Sequence, residues 1–455
     1  MLTQSVAPTY LMAPVGNDYF SKLRRREFGR LDRAGHAYLD YTGSALYAER
    51  QVRAYTKLLE DGVFGNPHSD NGPSQASTAL VEEARHRVLD FLEAPREDYV
   101  VCFTANTSAA IKLVAESFPF SSEGCLVLSA DNHNSINGVR EYAARAGARV
   151  EYLQLDNELR LINPVSSLRR HAAKGPKLFA YPAQSNFSGV RHPLHLVTAA
   201  QTMGYSVLLD AAAFAPTNQL SLRETPADFV AISMYKIFGL PTGVGALVAR
   251  REALQKLHRP WFAGGTVEYA SVQNRAHMLR GTEAGFEDGT PSFLDIGALS
   301  AGFAFLGEVE IARLNDRVRS LTGVLLDRLL SLRRSVRIYG PKNLEQRGGT
   351  IAFNVLDRNG RVIPYAVVEA AARDAGVAVR GGCFCNPGAS EAAFGFPADV
   401  AEKCIREASV GGFTVERFSE CLGPDVAVGA VRASVGLATN FSDVHRLIGV
   451  VDSLC

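Results

Sequence analysis

Lys236 directly follows an apolar run, FVAIS (229–233), and precedes IFGLPTGVGALV. Most lysines are solvated charges, but apolar flanks predict a desolvated amine whose lowered pKa suits Schiff-base chemistry with a carbonyl. Asp210 ends a second apolar run, SVLLD (206–210). A carboxylate in that place either caps a helix or pairs with a protonated ring nitrogen and strengthens an electron sink. FTANTSAAI (103–111) offers hydroxyls and backbone N–H groups at an expected helix start, which is a phosphate site. His133, in DNHNSIN, is either structural or set to stack on an aromatic ring or move a proton. Each of these four features follows its own apolar run. Together they point to pyridoxal 5'-phosphate.

The elements that must hold them are legible as patterns. YVVCF (99–103), CLVLS (125–129), KLFAY (177–181), SVLLD, FVAIS and GALVA (245–249) read as buried strands, apolar without alternation. That pattern fits a sheet covered on both faces, hence an α/β layer. Five of the runs pass directly into TANTS, ADNHNS, PAQSN, DAAAF and MYKIFG. Ligands of open α/β sheets sit beyond the carboxyl ends of the strands, so these segments mark the expected site. Residues 76–92 carry a helical apolar face, and a long helical pattern covers about 294–332. SVRIY (335–339), TIAFN (350–354), VAVRGG (377–382) and VRASV (431–435) supply strands of a second unit. The expected organisation is an N-terminal segment 1–30, a large domain 31–300 and a smaller α+β domain 301–455.

The chain has 455 residues, 48 Lys+Arg against 47 Asp+Glu, and a formal net charge of +1. That balance gives no electrostatic case for nucleic acid or an acidic membrane as partner. The N-terminus lacks a basic region followed by a long apolar run, and no stretch approaches the ~20 apolar residues of a membrane span. Seven cysteines, unevenly spaced, do not read as a disulfide framework, so a cytoplasmic, reducing location is expected. There is no G-x-x-x-x-G-K-[ST], and GVGALV is not G-x-G-x-x-G, which disfavours nucleotide readings. A zinc reading of the C-x-C at 383–385 is also disfavoured by its short spacing, and no metal is expected.

YLDYTGSAL (38–46), FGNPHS (64–69), FTANTSAA, PAQSNFSG (182–189), LLDAAAFAPT (208–217), SMYKIFGLPTGVGALV (233–248), FEDGTPSF (286–293), RGGCFCNPGA (380–389) and VRASVG (431–436) occur in one characteristic order. In that order the chain resembles the class V aminotransferase group of fold-type I pyridoxal phosphate enzymes, within it the cysteine desulfurases, and most nearly the desulfurase domain of molybdenum cofactor sulfurases. The resemblance implies a large domain with a mostly parallel sheet between helices and a smaller C-terminal domain. It assigns Lys236 to the Schiff base, Asp210 to the ring nitrogen, Asn186 to the phenolic oxygen and His133 to stacking on the ring. Ala105, Asn106, Thr107 and Ser233 would hold the phosphate. Thr266 would reach the phosphate of a second subunit, implying a homodimer. Arg432 would clamp the substrate carboxylate with its bidentate fork, with Asn186 beside it. Tyr235, Ala213 and Ser390 stand where many relatives carry His, Gln and Cys.

The reactive thiol requires a choice between Cys383 and Cys385. In an extended segment both would project to one side, so periodicity does not choose; the family's spacing from Arg380 favours Cys385. Gly381 and Gly382 just upstream would let a mobile loop swing its thiol toward substrate. The implied activity converts L-cysteine to L-alanine and leaves a persulfide on Cys385 for an acceptor protein or small molecule. A C–S lyase, epimerase or aminotransferase acting on a cysteine-like amino acid is the alternative.

Overall fold

The computed structural model describes residues 17–396, 398–410, 412–423 and 426–455. Its central sheet has seven strands in the spatial order Tyr99–Thr104, Gly245–Arg250, Phe229–Ser233, Ser206–Asp210, Lys177–Pro182, Cys125–Ser129 and Arg149–Leu153. Gly245–Arg250 runs antiparallel to both neighbours, and the remaining pairings are parallel. Six of these strands match the apolar runs to within a residue. Arg149–Leu153 was not expected, because as an edge strand it is only partly buried and carries Arg149 and Glu151.

Helices cover both faces. Phe293–Val309 packs on Gly72–Phe91 and on Glu49–Asp61, and Thr107–Ser117 lies across Phe229–Ser233 and Gly245–Arg250. The long helical pattern is in fact two helices, Phe293–Val309 and Ile311–Ser331. They are broken at Glu310, whose backbone is left-handed (φ 66°). Hydrophobic periodicity continues across such a break, so the sequence pattern does not reveal it. We propose Glu310, rather than residue 300 inside the first helix, as the junction between the large and small units.

Beyond it, Val336–Tyr339, Thr350–Val355, Ala430–Ser434 and Arg380–Gly382 form an antiparallel sheet in that order. VAVRGG thus divides: Val377–Ala378 pairs in parallel with Ala37–Tyr38, while Arg380–Gly382 joins the four-stranded sheet. Asp40 follows that first pairing and bridges to Ser434. An early segment of the chain is thereby laid along the strand that carries Arg432.

The seven cysteines form no disulfide framework, but Cys404 and Cys421 form one disulfide between the helices Ala398–Ser409 and Val415–Leu422. The other five are free. Their spacing of seventeen residues forms no pattern in the sequence; the antiparallel helix pair brings them together. Among the described residues, no helix is long and apolar enough to cross a membrane.

Candidate active site

The parallel strands end in register, and the loops after them meet in one cleft. Pro182 lies opposite Asp210 across the sheet, and Ser233 lies opposite Gly245, which also faces Thr104 on the other side. A Cβ on Gly245 would come 2.5 Å from the Asn106 backbone. Only glycine lets the strand pass this close to the TANTS turn. The cleft is lined by Asn106, Thr107, His133, Asn186, Asp210, Ser233 and Lys236, with Gln184, Ala213 and Tyr235 among the other lining residues.

Asn106 caps the helix Thr107–Ser117, its side chain accepting the Ala109 N–H at 3.0 Å. The Thr107 N–H donates to Ser233 Oγ (2.8 Å), and the two hydroxyls lie 2.7 Å apart. A helix N-terminus flanked by hydroxyls is an anion site. Ala105 is exposed at this turn. Asp210, buried at the end of its strand, accepts the Ala212 N–H at 2.9 Å.

Lys236 sits in the short helix Met234–Phe238 directly after Ser233. Burial pushes it below the ordinary lysine value; Asp210 opposes the shift, Arg432 and Arg380 add to it, and Cys385 opposes it. These four side chains are therefore within electrostatic reach of one amine. Burial also holds His133 below the usual imidazole range. Its Nδ1 accepts the Ser135 N–H at 3.1 Å, which places the proton of the neutral ring on Nε2.

Arg432 and Arg380 face each other across adjacent strands, and Asp40 lies between them. Its Oδ1 accepts from Arg432 Nη2 at 2.8 Å, and its Oδ2 lies 2.9 Å from Arg380 Nη2. Opposed like charges on paired strands repel, and the shared carboxylate offsets that. Gly43 makes room for it: a Cβ there would lie 2.4 Å from Asp40 Oδ2. Arg432 also donates to the Asn186 carbonyl at 3.0 Å, while its Nε is buried without a partner.

The CFC segment is neither an extended strand nor a free loop. Phe384 and Cys385 both adopt left-handed backbone, each with φ 56°, and the Asn386 N–H closes the turn on the Cys383 carbonyl at 3.0 Å. Two positive φ values in succession define a type I′ geometry, normally filled by Asn or Gly. With Phe and Cys there the strain is about 1–2 kcal/mol per residue. Hydrogen bonds from outside the turn hold it. Asn186 Nδ2 donates to the Phe384 carbonyl and the Asn134 N–H to the Cys385 carbonyl, both at 2.7 Å. Asn386 Nδ2 donates to the Asp131 carbonyl (2.7 Å) and to Asn186 Oδ1 (2.9 Å). Both thiols are exposed. Cys385 is felt by Lys236 and Arg380, whereas Cys383 is felt by Tyr365.

Ala105, Arg432, Cys385 and Thr266 are not among the lining residues; Arg432 and Cys385 are tied to the cleft through Asn186 and Asn134, and Thr266 stands furthest apart in its bonding. Thr266 is buried and hydrogen-bonds within its own loop, to Ala263, and does not line the cleft. Several contributors were not legible in the sequence. Asn386 carried a readable signal, an Asn before Pro at a helix start. Asp40 and Phe384 carried none. Nor did the buried pair Asp131–His192, at 2.8 Å, which braces the turn bearing His133.

The aminotransferase class-V family model matches residues 37–447. The chain is 34% identical to a molybdenum cofactor sulfurase of Arabidopsis thaliana and 36% identical to that of Bos taurus, in each case over 98% of this chain. It covers 59% and 53% of those proteins, so it spans little more than half the length of these relatives. Among solved structures, the apo cysteine desulfurase from Thermococcus onnurineus NA1 superposes with TM-score 0.79 at 26% identity, covering 95% of this chain and 97% of that one. The cysteine desulfurase CsdA from Escherichia coli shares the fold, with TM-score 0.76 at 22% identity over 96% of this chain and 98% of that one.

Proposed function

The chain belongs to the aminotransferase class-V family, and on that premise we propose that it is a pyridoxal phosphate-dependent cysteine desulfurase, releasing L-alanine and leaving the sulfur as a persulfide on Cys385. The observation that carries this reading is the convergence of Lys236 and Asp210 in the cleft with Arg432, tied to the Asn186 carbonyl, and with the Cys385 turn, tied to Asn186 and Asn134.

The residues present fit the cofactor. The helix start at Thr107, with the Thr107 and Ser233 hydroxyls, suits a phosphate. Asp210 suits a protonated ring nitrogen, Asn186 retains a donor for a ring oxygen, and the neutral His133 ring offers a stacking face. The bound cofactor supplies an electron sink for the pair left on the substrate carbon. Lys236, its charge disfavoured by burial, holds the cofactor through Nζ, then takes the proton from Cα and returns protons to the product. Arg432, fixed by Asp40 and the Asn186 carbonyl, binds the amino-acid carboxylate. The Cys385 thiolate attacks the substrate sulfur: the S–S bond forms as the carbon–sulfur bond breaks, and its electron pair stays on carbon.

Incubation of the purified protein with L-cysteine, with alanine, pyruvate and sulfide assayed separately, tests this. Alanine with a persulfide on Cys385 supports the reading, and pyruvate with free sulfide overturns it in favour of β-elimination. We further propose a homodimer in which Thr266 serves the neighbouring cofactor phosphate. Light scattering should give about twice 49.1 kDa, and a fully active monomer would refute it. The sulfur acceptor is proposed only as a thiol-bearing protein or small molecule.

A further inference from the structure

The turn that presents Cys385 and the arginine assigned to the substrate carboxylate share one support. The Phe384 ring is 7% exposed and lies 5.3 Å from the Phe187 ring, within an apolar cluster that includes Tyr339 and Phe394. On the same ring rests the Arg432 guanidinium, 4.8 Å from its centroid. Phe384 thus sits between the two cysteines in sequence while its ring contacts the group facing the other end of a cysteine-sized substrate. The backbone of this residue is also held, since its carbonyl takes the Asn186 amide at 2.7 Å.

We propose that Phe384 is a positioning residue: its buried ring fixes the left-handed turn that carries Cys383 and Cys385, and it supports the Arg432 guanidinium beside that turn. The proposal deepens the desulfurase reading and rests on it for the identity of the substrate. An apolar anchor is needed because a turn with two left-handed non-glycine residues relaxes unless its surroundings over-determine it. An aromatic ring is needed because an aliphatic side chain fills the pocket but offers the guanidinium no negative face. The two requirements are separable by substitution. Phe384→Leu keeps the anchor and loses the face, and Phe384→Ala loses both.

The test uses the cofactor-loaded enzyme, with loading checked by its visible absorbance. Cys385 and Cys383 are alkylated with limiting iodoacetamide and the two rates are read by mass spectrometry, alongside kcat and KM for L-cysteine. In Phe384→Ala, the ratio of the two alkylation rates should change at least about fivefold, with kcat down about tenfold or more and KM raised. In Phe384→Leu, the ratio should stay within about twofold of wild type while KM rises about threefold, the expected loss for one cation–π contact. Wild-type rate ratios and kinetics in Phe384→Ala would overturn the proposal, and an unchanged KM in Phe384→Leu would remove the Arg432 half. If Phe384→Ala does not fold, Phe384→Leu decides alone: a changed alkylation ratio refutes the apolar anchor. Should wild-type enzyme yield no alanine while the alkylation ratio still shifts in Phe384→Ala, the reaction reading fails and the positioning role stands.

Discussion

The side-chain amide of Asn186 donates to the backbone carbonyl of Phe384 at 2.7 Å, across 198 residues of sequence. One residue of the cofactor cleft therefore holds the turn that carries the reactive thiol. The same amide's oxygen accepts from Asn386, so the cleft and the cysteine turn form one hydrogen-bonded unit. A thiol placed in this way is presented by a fixed surface and does not depend on a loop swinging over the site.

Lys236→Ala is expected to abolish turnover and retention of pyridoxal phosphate after gel filtration, while far-ultraviolet circular dichroism stays unchanged. The side chain is half-buried in the cleft and makes no ion pair that the fold depends on. Full retention of the cofactor absorbance in the variant would remove Lys236 from its role.

Cys385→Ser should eliminate alanine production and the persulfide while cofactor loading persists, and Cys383→Ser should keep most activity. The difference is expected because Cys385 lies inside the left-handed turn tied to Asn186 and Asn134, whereas Cys383 precedes it. The opposite pattern would transfer the nucleophile to Cys383.

Asp210→Asn should lower kcat by about 10²-fold or more, because a neutral amide no longer favours a charged ring nitrogen. Steady-state alanine formation measures it. A loss below threefold would mean that Asp210 acts only as a turn-forming acceptor for Ala212.

Uptake of pyridoxal phosphate by the apoenzyme requires the neutral Lys236 amine. Burial lowers the Lys236 pKa, so the neutral fraction rises as pH climbs through a value below the ordinary 10.5. The uptake rate should rise and level off correspondingly early. Arg432 contributes to the lowering, so Arg432→Gln should move the midpoint to higher pH. Stopped-flow absorbance across pH reads both, and a downward shift in the variant would contradict the electrostatic account.

Glu287 in FEDG accepts from buried Arg85 at 2.8 Å and from the Phe103 N–H at 2.9 Å. Glu287→Ala takes the buried carboxylate from Arg85, leaving it the Val101 carbonyl and the half-exposed Glu82, and strands the Phe103 N–H beside the strand leading to the phosphate turn. Urea denaturation should show a loss of about 3–5 kcal/mol. A loss under 1 kcal/mol would show that solvent reaches the pair.

Composition and order of residues determined a great deal here. Short continuous apolar runs bounded by turn residues fit strands covered on both faces, so six of the seven central strands and the cleft at their carboxyl ends were legible, with Lys236, Asp210, Thr107 and His133 placed on it. The edge strand Arg149–Leu153 escaped because half-exposed strands lose that signal, and the break at Glu310 because apolar periodicity runs through it. The tertiary structure alone decided the distant pairings. Asp40 meets Arg380 and Arg432 across some 340 and 392 residues, and Phe384 meets Asn186 and Arg432. No local spacing encodes such contacts. The choice between Cys383 and Cys385 belongs with them: two cysteines separated by one residue are equivalent in an extended chain. Only a turn held in left-handed backbone by hydrogen bonds from distant residues makes the two positions inequivalent.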